Sequence, residues 1–83
     1  VKLLYFAWLK TRIGVAEEEV DPPPEVRDVA SLLGWLRGRG PGYAAALEHE
    51  EAVKVAVNQE YARAGDPVRP GDEVALFPPV SGG

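Results

Sequence analysis

The apolar positions of this chain fall into short alternating runs and one helical stripe. Val1 to Leu9 is almost wholly apolar, with Val1, Leu3, Tyr5 and Ala7 alternating against Leu4, Phe6 and Trp8. Period-two geometry sends the two sets to opposite faces of a sheet. A strand apolar on both sides is either covered on both or shows one face to a partner, and so short a chain can hardly cover both. Lys10 to Gly14 reads as a turn closing a hairpin, with Gly14 at a special-φ position. Val15 to Val20 follows as a more polar strand whose Glu17, Glu18 and Glu19 suit an exposed edge. Asp21-Pro22-Pro23-Pro24 ends it as a rigid connector.

Val29, Leu32, Leu33 and Leu36 keep the i, i+3, i+4, i+7 spacing of one helix face, with Asp28 as N-cap and Gly38 and Gly40 as the stop. Tyr43 to Leu47 predicts a short helical turn. Ala52 to Asn58 alternates again, with Val53, Val55 and Val57 opposite Lys54, Ala56 and Asn58. Asn58-Gln59 is a turn, Glu60 to Arg63 a short strand, and Asp66-Pro67 and Pro70-Gly71-Asp72 two further turns. The last strand is Glu73 to Phe77, with Val74 and Leu76 on one face and Ala75 and Phe77 on the other. The order strand, strand, helix, strand, short strand, strand predicts an α+β chain with a β-grasp (ubiquitin-like) fold. Its mixed sheet has four to five strands, with one main helix across one face. Residues 1–79 form the domain and residues 80–83 a flexible C-terminal Gly-Gly tail.

Composition narrows the function by exclusion. The 83 residues carry a net charge of −4, so there is no basic face for nucleic acid. No apolar run is long enough to span a membrane, and the N-terminus lacks the zones of a signal peptide. With no cysteine there is no thiolate nucleophile, disulfide or iron–sulfur ligation, in agreement with a cytoplasmic location. The one histidine, His49, sits among Glu48, Glu50 and Glu51 in a solvated loop, so no metal site or Ser–His triad is expected. Methionine is also absent; Val1 is expected to be the residue left after initiator removal or a non-AUG start read as valine. The Gly38–Gly42 stretch lacks the preceding strand and the Lys-Ser/Thr pair of a phosphate loop.

The chemistry is therefore expected at the chain end. Pro78-Pro79 stops the last strand and stiffens the exit, and Val80-Ser81-Gly82-Gly83 supplies a thin tip with a free carboxylate. Fully extended, those four residues reach about 13 Å at ~3.3 Å each, enough to enter a neighbour's pocket. Beside the tail, the sheet face opposite the helix gathers Leu4, Phe6, Trp8 and Phe77, with Tyr61 close by. Large apolar groups exposed together on a small acidic protein mark a partner surface. The alternative is that Trp8 and Tyr61 only cap the edge of the core, which is the expected role of Trp8.

Four parts of the chain carry a resemblance that covers its whole length: Leu4-Tyr5-Phe6-Ala7, Ala56-Val57-Asn58-Gln59, Gly71-Asp72-Glu73-Val74 and the Phe77-Pro78-Pro79-Val80-Ser81-Gly82-Gly83 ending. Together they resemble the small subunits of molybdopterin synthases, which are ubiquitin-like sulfur carriers. The Gly-Gly end alone is shared with thiamin sulfur carriers and ubiquitin-like modifiers, whereas the longer ending is much more specific to the molybdopterin branch. The resemblance implies that Gly83 is adenylated and then converted to a thiocarboxylate. It then donates sulfur to a cyclic pterin precursor in molybdenum cofactor biosynthesis, with Gly82 giving clearance for tail insertion. Having no thiol, metal cluster or phosphate loop, the chain binds no cofactor and cannot activate itself. An adenylating, E1-like partner using ATP and Mg²⁺ is required, with a sulfur donor system. The catalytic side chains are expected on the large subunit, which Phe6, Tyr61, Phe77, Pro78, Pro79, Val80 and Ser81 would contact. The rival readings are sulfur delivery to transfer RNA or thiamin precursors, a modifier joined to lysines through Gly83, and a β-grasp interaction module with an idle tail.

Overall fold

A computed structural model describes residues 1–79. Five strands form one mixed sheet: β1 (Lys2–Tyr5), β2 (Glu17–Glu19), β3 (Lys54–Val57), β4 (Glu60–Ala62) and β5 (Glu73–Phe77). Their order is β2-β1-β5-β3-β4. β1 and β5 run parallel in the middle, while the β1–β2, β3–β4 and β3–β5 pairs are antiparallel. The last strand of the chain is thus its central one. The helices are α1 (Trp8–Ile13), α2 (Val29–Arg37) and α3 (Pro41–Ala46), followed by a 3₁₀ turn over Glu50–Ala52.

The main helix begins where its cap residues dictate. Asp28 Oδ1 accepts from the Ser31 amide at 2.8 Å and Ser31 Oγ accepts from the Asp28 amide at 3.1 Å, which closes a reciprocal capping box. Its amides Val29 and Ala30 donate to the carbonyls of Asp66 and Ala64, which ties the helix start to the loop before β5. The stripe Val29, Leu32, Leu33 and Leu36 is buried against Leu3, Tyr5, Val55, Val74 and Leu76 of the sheet. Leu9, Ala46, Leu47, Val53 and Val68 complete the core from α1, the end of α3, the residue before β3 and the loop before β5.

The expected hairpin turn at Lys10–Gly14 is instead part of a helix. β1 ends at Tyr5, Ala7 turns the chain at φ 55°, and α1 carries Leu9 into the core. Gly14 stops that helix at φ 101°, in the left-handed conformation expected of it. Trp8 accordingly leaves the strand face. It is half-buried against the core, with the Arg12 guanidinium 4.9 Å above its ring. The third strand is also shorter than its alternation implied, because Glu50–Ala52 winds into the 3₁₀ turn. Asn58 and Gln59 take φ 51° and 70°, the two positive angles of a tight two-residue hairpin loop.

β2 is an edge strand, yet Glu18 does not face solvent as its neighbours do. It sits across from Leu3, and its Oε2 accepts hydrogen bonds from the hydroxyls of Tyr5 at 2.7 Å and Tyr43 at 2.6 Å. Its Oε1 pairs with Arg39 at 3.2 Å, and Arg39 lies over the rings of Trp35 and Tyr43. Burial alone pushes the Glu18 carboxyl upward, but the two hydroxyls and the guanidinium outweigh it and hold the group below the usual carboxylate range. Burial, followed by the bond to Glu18, raises both tyrosines.

Candidate partner-docking face and chain exit

All the helices lie on one side of the sheet, so strand alternation builds the other side. With Leu3, Tyr5, Val55, Val74 and Leu76 turned to the core, Leu4, Phe6, Lys54, Ala56, Ala75 and Phe77 turn outward. The registers set Leu4 beside Ala75, Ala75 beside Ala56, and Ala56 beside Tyr61. Two alanines thus form a low floor between larger groups. Tyr61 is 78 % exposed and Phe6 49 %, and Phe77 stands half-buried between them. The rings of Tyr61 and Phe77 are tilted by 58° with centroids 5.9 Å apart, a favourable aromatic geometry. The Phe6 amide donates to the Leu76 carbonyl at 3.1 Å, which holds Phe6 beside the end of β5.

The expected gathering of Leu4, Phe6, Tyr61 and Phe77 on the open face is therefore present; Trp8 alone is placed elsewhere. Pro78 is half-buried and Pro79 exposed, both outside the strand. Val80, Ser81, Gly82 and Gly83 lie outside the described residues. Because β5 is central and ends at Phe77, the chain leaves the sheet at the aromatic end of the open face. At the opposite end Asn58 fixes the start of β5. Its amide donates to Asp72 at 3.0 Å and its oxygen accepts from the Glu73 amide at 3.0 Å. A 380 Å³ cleft among Pro22, Pro23, Pro67 and Val68 adjoins Val1, where β1 enters the sheet. Since β1 and β5 are parallel, this cleft is remote from the chain exit.

Among the described residues no group of three His, Asp or Glu side chains is placed to hold a metal ion. His49 is exposed and lies 3.5 Å from Glu51. No described helix is long and apolar enough to cross a membrane. Among the described residues the site offers an exposed aromatic surface beside the point where the chain leaves the sheet.

The model of the ThiS family matches residues 3–83. The chain belongs to that family. It is 37% identical over 86 residues to the human molybdopterin synthase sulfur carrier subunit, covering 100% of this chain and 93% of the human one. It is 35% identical over 83 residues to the Escherichia coli sulfur carrier subunit, covering 100% and 99%. Among solved structures, a putative molybdopterin converting factor subunit 1 from Pyrococcus furiosus is similar with a TM-score of 0.77 at 31% identity, covering 95% of each chain. The Haloferax volcanii small archaeal modifier protein 1 is similar with a TM-score of 0.74 at 31% identity, again over 95% of each. A complex of subunits 1 and 2 of the molybdopterin-converting factor from Helicobacter pylori shares the fold, with a TM-score of 0.63 at 21% identity, covering 99% of this chain and 96% of that one. The β-grasp architecture is thereby established, and this ThiS family member stands among the ubiquitin-like sulfur carriers.

Proposed function

We propose that this chain is the sulfur carrier subunit of a cytoplasmic molybdopterin synthase. One observation carries the reading: full-length similarity to sulfur carrier subunits joins an open aromatic face at the end of the sheet where the chain leaves. The large subunit docks on Phe6, Tyr61 and Phe77, and residues Pro78 to Ser81 lead Gly82 and Gly83 into its pocket. The Gly83 carboxylate first attacks ATP on an adenylating partner that uses Mg²⁺, forming an acyl-adenylate with loss of pyrophosphate. A sulfur donor then displaces AMP and leaves a thiocarboxylate. Inside the large subunit that sulfur bonds to the pterin precursor, and water cleaves the acyl–sulfur bond, leaving the sulfur on the pterin and restoring the Gly83 carboxylate.

The test is intact-mass analysis after incubation with the adenylating enzyme, ATP, Mg²⁺ and a sulfur donor. One oxygen should be exchanged for sulfur, and fragmentation should place it on Gly83. Deleting Gly83 should abolish both the exchange and pterin conversion with the large subunit present. Sulfur elsewhere, or no exchange with a competent activator, overturns the reading. The likeness to an archaeal modifier protein favours a second use of the same carboxylate, conjugation to lysines. Isopeptide-linked adducts ending in Gly83, recovered from cells, would identify it.

A further inference from the structure

The open face has one position that does not fit a purely apolar contact. Lys54 opens β3, is exposed, and lies directly across from Phe77 in the β3–β5 register. It therefore stands at the aromatic end of the face, beside the chain exit. The lysine and arginine ion pairs among the described residues are Lys2–Glu17, Arg37–Glu50 and Arg39–Glu18, so Lys54 has no described carboxylate within bonding range. Of the two acids that line the same 330 Å³ cleft as Lys54, Glu50 is paired with Arg37 at 3.2 Å, while Glu51 is exposed beside His49 and forms no bridge to Lys54. Arg63 lines this cleft too and likewise has no described ion pair. A chain of net charge −4 thus presents a lysine without a described ion pair at the rim of its aromatic patch.

We infer that Lys54 reads a carboxylate on the docking partner. The occupant of this face is a protein surface with an apolar centre and an Asp or Glu at its edge, facing the start of β3. The inference rests on the reading of the face as the large-subunit surface. A cation at the rim of an apolar contact acts mainly on encounter and register. It offsets the repulsion that an acidic chain otherwise feels from an acidic partner. It also penalises partners that present a cation or a bare apolar group at that place, because the ammonium would be covered without a counter-charge.

The experiment is stopped-flow association of the full chain with its own large subunit, for wild type, Lys54→Glu, Lys54→Gln and Phe77→Ala. Lys54→Glu should slow association about tenfold at low salt and Lys54→Gln about threefold, within the range typical of rim charges. Both gaps should close to below about twofold near 0.5 M salt, where the Debye length falls to a few ångströms. Reversing one acidic residue of the large subunit to Lys should restore the rate of Lys54→Glu. Thermal melts check folding, which an exposed lysine hardly affects. If Lys54→Glu stays within twofold of wild type at low salt while Phe77→Ala weakens binding, Lys54 is a bystander and only this inference fails. A loss that persists at high salt overturns it as well. If neither substitution matters, the docking face itself is misassigned. Salt-sensitive self-association through Lys54 would identify a second copy of the chain as occupant, against the inference.

Discussion

The Tyr5 hydroxyl donates a 2.7 Å hydrogen bond to Glu18, so an inner strand and the edge strand are joined by side chains as well as by their ladder. Glu18 is depressed in the fold relative to the unfolded chain, where a glutamate titrates near pH ~4.3. A depressed carboxyl contributes stability that is complete above the unfolded value and is lost as pH falls through the folded one. Glu18→Gln should therefore destabilise the protein at pH 7 by about 1.5–3 kcal/mol, the scale of a charge-assisted hydrogen bond. The gap to wild type should narrow below about pH 4. Urea unfolding across pH 3 to 7 measures it, and a gap constant with pH would show that the charge of Glu18 contributes nothing.

Leu36 and Leu32 are fully buried on the helical stripe. Leu36→Ala should cost about 2–5 kcal/mol, from lost transfer energy and the cavity left behind. In a domain of this size that is a large share of total stability. Chemical denaturation gives the number, and a loss below ~1 kcal/mol would mean the site collapses freely around the smaller residue.

Two glycines should respond to alanine with opposite signs. A Cβ on Gly42 would lie 2.6 Å from the Arg12 carbonyl oxygen, where the start of α3 meets the end of α1. That atom is backbone, so α1 must retreat, and the clash outweighs alanine's helix preference by about 1–3 kcal/mol. A Cβ on Gly34, exposed within α2, meets nothing within 4 Å. Gly34→Ala should stabilise by about 0.4–1 kcal/mol through the unfolded chain. Melts of both variants beside wild type decide the matter, and equal signs would contradict this packing.

Phe77→Ala and Phe6→Ala should weaken large-subunit binding by about 2 kcal/mol or more, roughly thirtyfold. Their stability loss should be smaller than that of Leu36→Ala, since Phe6 is exposed and Phe77 half-buried. Calorimetric titration beside a thermal melt separates the two effects. Binding within twofold of wild type, together with a sharp drop in the melt, would assign these rings to the core.

Where local chemistry and tertiary packing agree, the chain could be read directly. The last strand has the bounds its alternation implied, Asp28 caps the main helix, and Asn58-Gln59 makes the hairpin turn. The facings of Phe6 and Phe77 followed from period two alone. The first apolar run misled because it hides a break: Leu3 and Tyr5 obey the strand period, whereas Leu9 and Ile13 already obey the helical one. A continuous apolar stretch offers nothing to mark that change, which depends on the unusual φ of Ala7. Glu18 was hidden among three glutamates, and only the pairing of β2 with Leu3 shows which one turns inward. The place of Lys54 opposite Phe77 likewise required the β3–β5 register.

The central position of β5 has a mechanical consequence. Tension applied to the C-terminal end enters the body at Phe77 and runs along a strand laddered on both sides, to β1 and to β3. Such a pull loads both ladders in shear, so many hydrogen bonds share the force instead of parting one at a time. An edge strand carrying the same tail would be tethered on one side only. Force entering at Phe77 is thereby spread over the β1 and β3 ladders together.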